Sequence, residues 1–281
     1  MENGQIKFDR RKTMREVIIF AVIILVSGWI GAAINVLLKQ EQTVQSLGSL
    51  IWILTPIIMV IIIRTKNHEW KEAGIKPHFK GNLATYLFSI LFYPILTLVL
   101  VGIGLLTNQV NLSNFSWTIF LPVMAAAIGA NFFKNISEEM AWRGYLTQKL
   151  FSLKITDWKA YILTGLIWNL WHGAYYLLFL PDENFKTNSR LYLLLWGCVL
   201  LVAWSFLFGE IYHKTKSVWP CVILHAIEDG VPTVLIMTGE YITFSKSSEW
   251  ILHPITGLIS VVVILGTGLF MLVNRRKKVL F

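Results

Sequence analysis

The sequence predicts an all-α, polytopic membrane protein with about eight transmembrane helices and a cytosol-facing cavity within the membrane. Three observations lead to this class: the composition, a series of long apolar runs, and the placement of basic residues. Of the 281 residues, 55% are hydrophobic and 15% are charged, whereas soluble domains carry about 25% charged residues. The apolar runs are near the roughly 20 residues needed to cross a hydrocarbon core. Each run must be helical, because lipid offers no partners to open backbone groups.

Eight spans follow one another without a linker long enough to separate domains, so we predict one membrane domain covering 1–281. The first span is too long for the apolar part of a signal peptide and is followed at once by more spans. No internal repeat is visible in the sequence. The predicted spans are 17–38, 47–63, 82–106, 117–134, 158–180, 191–212, 218–238 and 251–273.

The basic residues indicate the orientation. With eight spans both termini share one side, and that side carries 21 of the 25 lysines and arginines. This asymmetry predicts cytoplasmic termini in the cell membrane. Orientation and anionic lipid headgroups account for the net charge of +9, so we expect membrane lipids and no nucleic acid as partners. Cys198 and Cys221 fall within or beside spans and are predicted to be packing residues rather than a disulfide.

Ionisable residues at bilayer depth cost about 2.5–3.5 kcal/mol on insertion scales, so they are candidate functional residues. The stretch SEEMAWRGYL contains Glu138, Glu139 and Arg143. Glu139 and Arg143 are four residues apart and therefore share a helix face. The alternative interpretation is a surface ion pair at a cytoplasmic helix end.

Two histidines form the other candidates. His172 lies in GLIWNLWHGAYYLLF, where no residue is charged, and could simply be hydrogen-bonded to a neighbour. His225 and Asp229, in CVILHAIEDGVPTVL, share a face four residues apart, whereas Glu228 is predicted to point elsewhere. A structural hydrogen bond is the alternative for this pair. By span direction all three groups could line one cavity open to the cytosol. A carboxylate base, imidazoles that orient water or bind metal, and polar donors for an oxyanion are the groups that activate water.

Three ordered motifs resemble the CPBP family of intramembrane proteases, also called the ABI or type II CAAX prenyl endopeptidase family. The family pattern is EExxxR, then FxxxH, then HxxxN. Here it reads Glu138–Arg143, then Trp168–His172 with Trp for Phe, then His225–Asp229 with Asp for Asn. The resemblance covers roughly 117–235, which we take as the catalytic core.

The resemblance implies a role for each matching residue. Glu138 would be the general base, with His172 holding the water or a metal. His225 and Asp229 would bind metal or stabilise the oxyanion, and Glu139 with Arg143 would orient the site. An ionised Asp229 cannot donate a hydrogen bond, which favours a metal-ligand role. The resulting candidate ligands for a divalent metal such as zinc are His172, His225, Asp229 and Glu138; a metal-free glutamate and water mechanism stays open.

The implied activity is hydrolysis of a peptide bond in a membrane-associated or lipidated peptide. Other intramembrane proteases are not supported, because the sequence lacks HExxH, GxSG and GxGD motifs. A non-enzymatic immunity or scaffold protein that retains the fold is the alternative from another class. A small transporter is less favoured, since no repeat is visible.

Overall fold

The computed structural model describes residues 9–112, 114–185, 189–238 and 241–280, and these form a helical bundle with one very short antiparallel ribbon. Lys7 and Lys186, which the charge distribution includes, lie outside the described residues. The helices are α1 (Arg10–Leu37), α2 (Leu47–Asn67), α3 (Leu83–Leu106), α4 (Trp117–Ala141), α5 (Gln148–Ser152), α6 (Asp157–Trp171), α7 (Arg190–Thr215), α8 (Trp219–Gly230), α9 (Glu249–Leu252) and α10 (Leu258–Leu280). Strands β1 (Val110–Asn111) and β2 (Thr243–Phe244) pair with each other.

Short irregular helices continue or connect these elements. Trp142–Thr147, Tyr175–Phe179 and Val234–Thr238 are π-helical and extend α4, α6 and α8, whereas Trp70–Glu72 and Asp182–Phe185 are 3₁₀ turns. Insertions of π-helix widen the backbone spiral and are frequent at functional sites. All three of the π-helical stretches lie on helices that carry a predicted motif.

Within the described ranges, seven helices are long and apolar enough to cross a membrane, which confirms the polytopic all-α class. They overlap seven of the eight predicted spans. The predicted fifth span, 158–180, is instead the 15-residue α6 followed by the π-helix Tyr175–Phe179. The regular α-helix ends at Trp171, and the backbone N–H of His172 is shared between the carbonyls of Trp168 and Asn169. The predicted count of eight therefore includes one interrupted helix.

Boundaries of three predicted spans were seven residues off. The first span was predicted to start at 17, but α1 begins at Arg10. The fourth span was predicted to end at Lys134, but α4 continues to Ala141, because its polar residues there face the protein interior. The eighth span was predicted to start at 251, but α10 begins at Leu258. Pro254 lies before that start, and a proline cannot donate the backbone hydrogen bond that a continuous helix needs.

The first two helices form a closely packed pair. A Cβ built at Gly31 would lie 2.2 Å from the carbonyl oxygen of Gly48, so both positions require a residue without a side chain. Asn35 adds a polar tie, because its Oδ1 accepts from the backbone N–H of Gly48 at 2.8 Å. Small residues and interhelical hydrogen bonds are the usual means of helix association in lipid.

The centre of the bundle is α7, whose buried residues pack against α6, α8 and α10. The two cysteines lie on its interfaces and are free, as predicted. Cys221 on α8 is fully buried, with its Sγ 3.4 Å from the carbonyl oxygen of Phe208 on α7. Cys198 lies 3.1 Å from Nδ2 of Asn169 on α6. This frame holds α4, α6 and α8, the three helices that carry the predicted site residues.

Candidate active site

A cavity of about 300 Å³ lies between α2, α4, α6, α7 and α8. It brings together Glu138, His172, His225 and Asp229, which are far apart in the sequence. Its other polar lining residues are Lys134, Tyr175, Tyr176, Glu228, Thr233 and Thr256, and its apolar wall includes Trp52, Trp168, Trp196, Leu200, Trp204 and Ile255. Glu139 and Arg143 are behind the wall of this cavity and fully buried.

Glu138 presents its carboxylate to the cavity while two indoles hold it. Its Oε2 accepts from Nε1 of Trp168 at 3.1 Å and from Nε1 of Trp142 at 3.5 Å. Its Oε1 is 3.9 Å from Nζ of Lys134. The residue is 3% exposed, and these contacts hold the carboxylate in place while part of its hydrogen-bonding capacity stays unused. One oxygen is left to face a small molecule such as water.

Glu139, in contrast, contacts other side chains of the protein and does not line the cavity. Its Oε1 accepts from Nη1 of Arg143 at 3.0 Å and is 2.9 Å from Nδ1 of His225. The predicted contact between Glu139 and Arg143 is present, and it extends to a third residue on another helix. The two adjacent glutamates thus have different environments, because neighbours on a helix are rotated by about 100°.

Arg143 is enclosed by aromatic rings. Its guanidinium carbon lies 4.3 Å from the ring centroid of Trp168 and 4.4 Å from that of Phe208. Cations over ring faces are stabilised by the ring quadrupole, and more so when water is excluded. Among the described residues, its Nε and Nη2 have no hydrogen-bond partner. The arginine therefore joins α4, α6 and α7 behind the cavity.

His172 lies where α6 ends, with Nδ1 3.0 Å from the carbonyl oxygen of Trp168. The carbonyl can only accept, so Nδ1 carries the proton and the neutral ring offers a lone pair on Nε2. The ring stacks on Tyr176 with centroids 5.4 Å apart. The turn that ends α6 therefore sets both the position and the tautomer of this histidine.

His225 and Asp229 share the cavity face of α8, as the spacing predicts. Glu228, predicted to point elsewhere, lines the same cavity, and its Oε1 accepts from the Thr233 hydroxyl at 3.2 Å. That expectation compared Glu228 with Asp229 alone and overlooked His225. Residues three apart on a helix are also neighbours, so Glu228 lies beside His225.

The sequence interpretation missed two partners of Asp229 on α4. Its Oδ2 accepts from Nδ2 of Asn135 at 2.8 Å and from Nζ of Lys134 at 3.1 Å. The predicted charge distribution counts Lys134 on the cytoplasmic side, because the fourth apolar run ends at this residue. The available signal was its position four residues before Glu138, which places the two on one helix face.

The four predicted metal ligands line one cavity, but their ligand atoms do not form one compact group. In the described part of the chain, the group with ligand atoms all within 4.8 Å consists of His225, Glu228 and Asp229. Neither His172 nor Glu138 belongs to such a group. The contact between Glu139 and His225 resembles the outer-shell carboxylate of metal-binding histidines, but Lys134 already neutralises Asp229. The predicted four-ligand zinc site therefore does not fit this arrangement.

The fold and the cavity define a multi-pass membrane protein with a carboxylate and imidazole site of the kind that activates water. A model of the family described as type II CAAX prenyl endopeptidase Rce1-like matches residues 115–231. The chain is also similar to CAAX prenyl protease 2 of Methanococcus maripaludis, with 30% identity over 207 residues that cover 67% of this chain and 72% of the relative. The chain belongs to the Rce1-like type II CAAX prenyl endopeptidase family, which is a family of proteases.

Proposed function

We propose that this protein is an intramembrane endopeptidase that hydrolyses a membrane-associated or lipidated peptide with water activated by Glu138. The main support for the proposal is that the two adjacent glutamates have different contacts. Glu139 is held by Arg143 and His225, whereas Glu138 lines the cavity. Of the two, Glu138 is the carboxylate that can meet both water and substrate, and family membership agrees with that chemistry.

In the proposed reaction, Glu138 removes a proton from water, and the water oxygen attacks the carbonyl carbon of the scissile peptide. The carbonyl electron pair moves onto oxygen and forms a tetrahedral oxyanion. Collapse of this intermediate breaks the C–N bond, and Glu138 returns the proton to the leaving amine. His172 accepts a hydrogen bond from the water through Nε2, because its Nδ1 is occupied by the Trp168 carbonyl. His225 lines the same cavity and is held by Glu139 through Nδ1.

The apolar walls favour a substrate with a lipid-like segment. Trp52, Trp196, Leu200 and Ile255 line the cavity beyond the charged residues, and such surfaces gain free energy by burying apolar groups. The relative from Methanococcus maripaludis bears the name CAAX prenyl protease 2. A prenylated peptide is therefore the first substrate to test.

Purified protein in detergent should cleave a fluorogenic lipidated peptide, and the Glu138→Ala variant should not. An unlipidated peptide of the same sequence should have a higher KM, because it loses apolar burial. Absence of turnover by the wild-type protein on lipidated peptides, in the presence of intact fold, would reject the proposed activity and favour the binding or scaffold alternative.

We expect activity without a bound divalent metal, because the Lys134 ammonium lies 3.1 Å from the carboxylate that a metal would need. Dialysis against a chelator should leave turnover within about twofold of the untreated enzyme, and elemental analysis should find less than one zinc per chain. If chelation abolishes activity and added zinc restores it, this expectation is wrong. His225, Glu228 and Asp229 would then be the candidate metal ligands.

The proposed topology has both termini in the cytoplasm, and it counts the interrupted α6 segment as one crossing. The charge asymmetry of 21 to 4 motivates it. Topology reporters fused at Asn184 and at Phe281 should then report opposite sides of the membrane. The same side for both would mean that one of the three spans after Asn184, formed by α7, α8 and α10, does not cross, and the eight-span topology would be wrong.

A further inference from the structure

Lys134 is a cation within the cavity that neither the motifs nor the proposed roles use. Its Nζ lies 3.1 Å from Oδ2 of Asp229 and 3.9 Å from Oε1 of Glu138. Its side chain is 32% exposed and lines the cavity together with both carboxylates. The ammonium is therefore located between the carboxylate that would activate water and the residue expected to face the oxyanion.

Three N–H donors contact these carboxylates directly and are engaged by them, whereas the hydroxyls of Tyr175 and Tyr176 line the same cavity. The indole N–H groups of Trp142 and Trp168 donate to Glu138, and the Asn135 amide donates to Asp229. An ionised aspartate accepts hydrogen bonds and cannot donate them. Asp229 by itself therefore offers nothing to a developing negative charge.

The two imidazoles do not fill this role in their neutral forms. Nδ1 of His225 contacts the Glu139 carboxylate, and Nδ1 of His172 contacts the Trp168 carbonyl. Both partners only accept, so Nδ1 of each ring carries a proton, and in the neutral form of each ring Nε2 has a lone pair and no proton to donate. A lysine ammonium, by contrast, has three N–H donors, of which the contact with Asp229 uses one.

We propose that Lys134 stabilises the tetrahedral oxyanion, and that Asp229 holds its ammonium in position. This inference rests on the proposed function of the site. The ammonium donates to the carbonyl oxygen as the electron pair of the C=O bond moves onto it, and no proton needs to be transferred. On collapse the pair returns to the carbonyl, and the C–N bond breaks. The Lys134–Asp229 pair thus replaces the donor that an asparagine at 229 would supply.

The competing explanation is that Lys134 only neutralises Asp229. Two double variants separate the two roles, since both remove the lysine and the aspartate charge. Lys134→Met/Asp229→Asn supplies an amide donor, whereas Lys134→Met/Asp229→Leu supplies none at similar volume. If the ammonium is the oxyanion donor, the asparagine variant should turn over at least tenfold faster than the leucine variant. If Lys134 is only a counterion of Asp229, the leucine variant should keep near wild-type kcat, because it loses both charges together.

The single variant Lys134→Met should lower kcat about 10²- to 10³-fold, as loss of one oxyanion donor does, with KM little changed. Lys159→Met is the matched control, because Lys159 is exposed and remote from the cavity. Thermal unfolding in detergent establishes that each variant is folded. Should Lys134→Met not fold, the comparison of the two double variants decides alone.

Wild-type kcat in Lys134→Met, or in Lys134→Met/Asp229→Leu, would overturn the inference and leave the proposed protease activity intact. An inactive wild-type protein would instead reject the activity itself. Lys134 is supported as a catalytic residue if Lys134→Met/Asp229→Asn recovers turnover and Lys134→Met/Asp229→Leu does not.

Discussion

Replacing Glu138 by glutamine is expected to abolish cleavage while the protein stays folded and binds its substrate. The amide oxygen can still accept from Trp168, whose Nε1 lies 3.1 Å from Oε2 of Glu138. The amide cannot remove a proton from water, and a positioned base contributes about 10²- to 10⁴-fold to a rate. The measurement is kcat and KM on a lipidated peptide, where kcat should fall by that factor and KM should hardly change.

Glu16→Gln is the matched control for Glu138→Gln. Glu16 is on α1 outside the cavity and pairs with Lys149 at 3.4 Å, so its loss removes a carboxylate without touching the site. The control should keep wild-type kcat. Glu138→Gln that turns over near the wild-type rate would contradict the general-base role, and a comparable loss in Glu16→Gln would show that the effect is not specific.

Replacing Arg143 by methionine is expected to cause the largest loss of stability among the site variants. Its side chain and that of Glu139 are 1% and 0% exposed, so the glutamate would lose its cationic partner in a dry environment. Removing one member of a buried ion pair costs about 3–5 kcal/mol. The free energy of unfolding in detergent should fall by that amount. Adding Glu139→Leu should recover part of the stability but no activity, because His225 then loses its oriented partner.

Arg143→Lys tests positioning apart from stability. Lysine keeps the charge but lacks the planar group that lies between Trp168 and Phe208. A small displacement of Glu139 and His225 should lower kcat by about 10²-fold, with KM near the wild-type value. The control is Arg276→Lys, whose side chain is 48% exposed. Wild-type turnover in Arg143→Lys would rule out the orienting role.

Hydropathy was sufficient to predict most of the fold, because a span must bury about 20 apolar residues regardless of its neighbours. It failed where the end of an apolar run does not coincide with the end of the helix. The segment 158–180 is mostly apolar, yet α6 ends at Trp171 and the chain continues from His172 into the π-helix Tyr175–Phe179. Conversely, α4 continues past Lys134 although its composition becomes polar, since Asn135, Glu138 and Glu139 face inward.

Helical spacing placed the site residues on the right faces, but it could not show contacts between helices. The bond from Trp168 to Glu138 joins α6 to α4, and a phenylalanine at 168 would have no N–H to donate. Lys134 and Glu228 were missed for a simpler reason. Lys134 was assigned from its position at the end of an apolar run, and Glu228 from its rotation relative to Asp229. Neither was compared with the residue three or four positions away that shares its helix face.

The most direct test of the central claim is mass spectrometry of a prenylated peptide incubated with purified wild-type protein and with Glu138→Gln. We expect two fragments from the wild-type reaction, separated at one peptide bond and together heavier than the substrate by one water. The glutamine variant should return only intact peptide. Identical fragments from both proteins, or intact peptide from folded wild-type protein, would contradict the account.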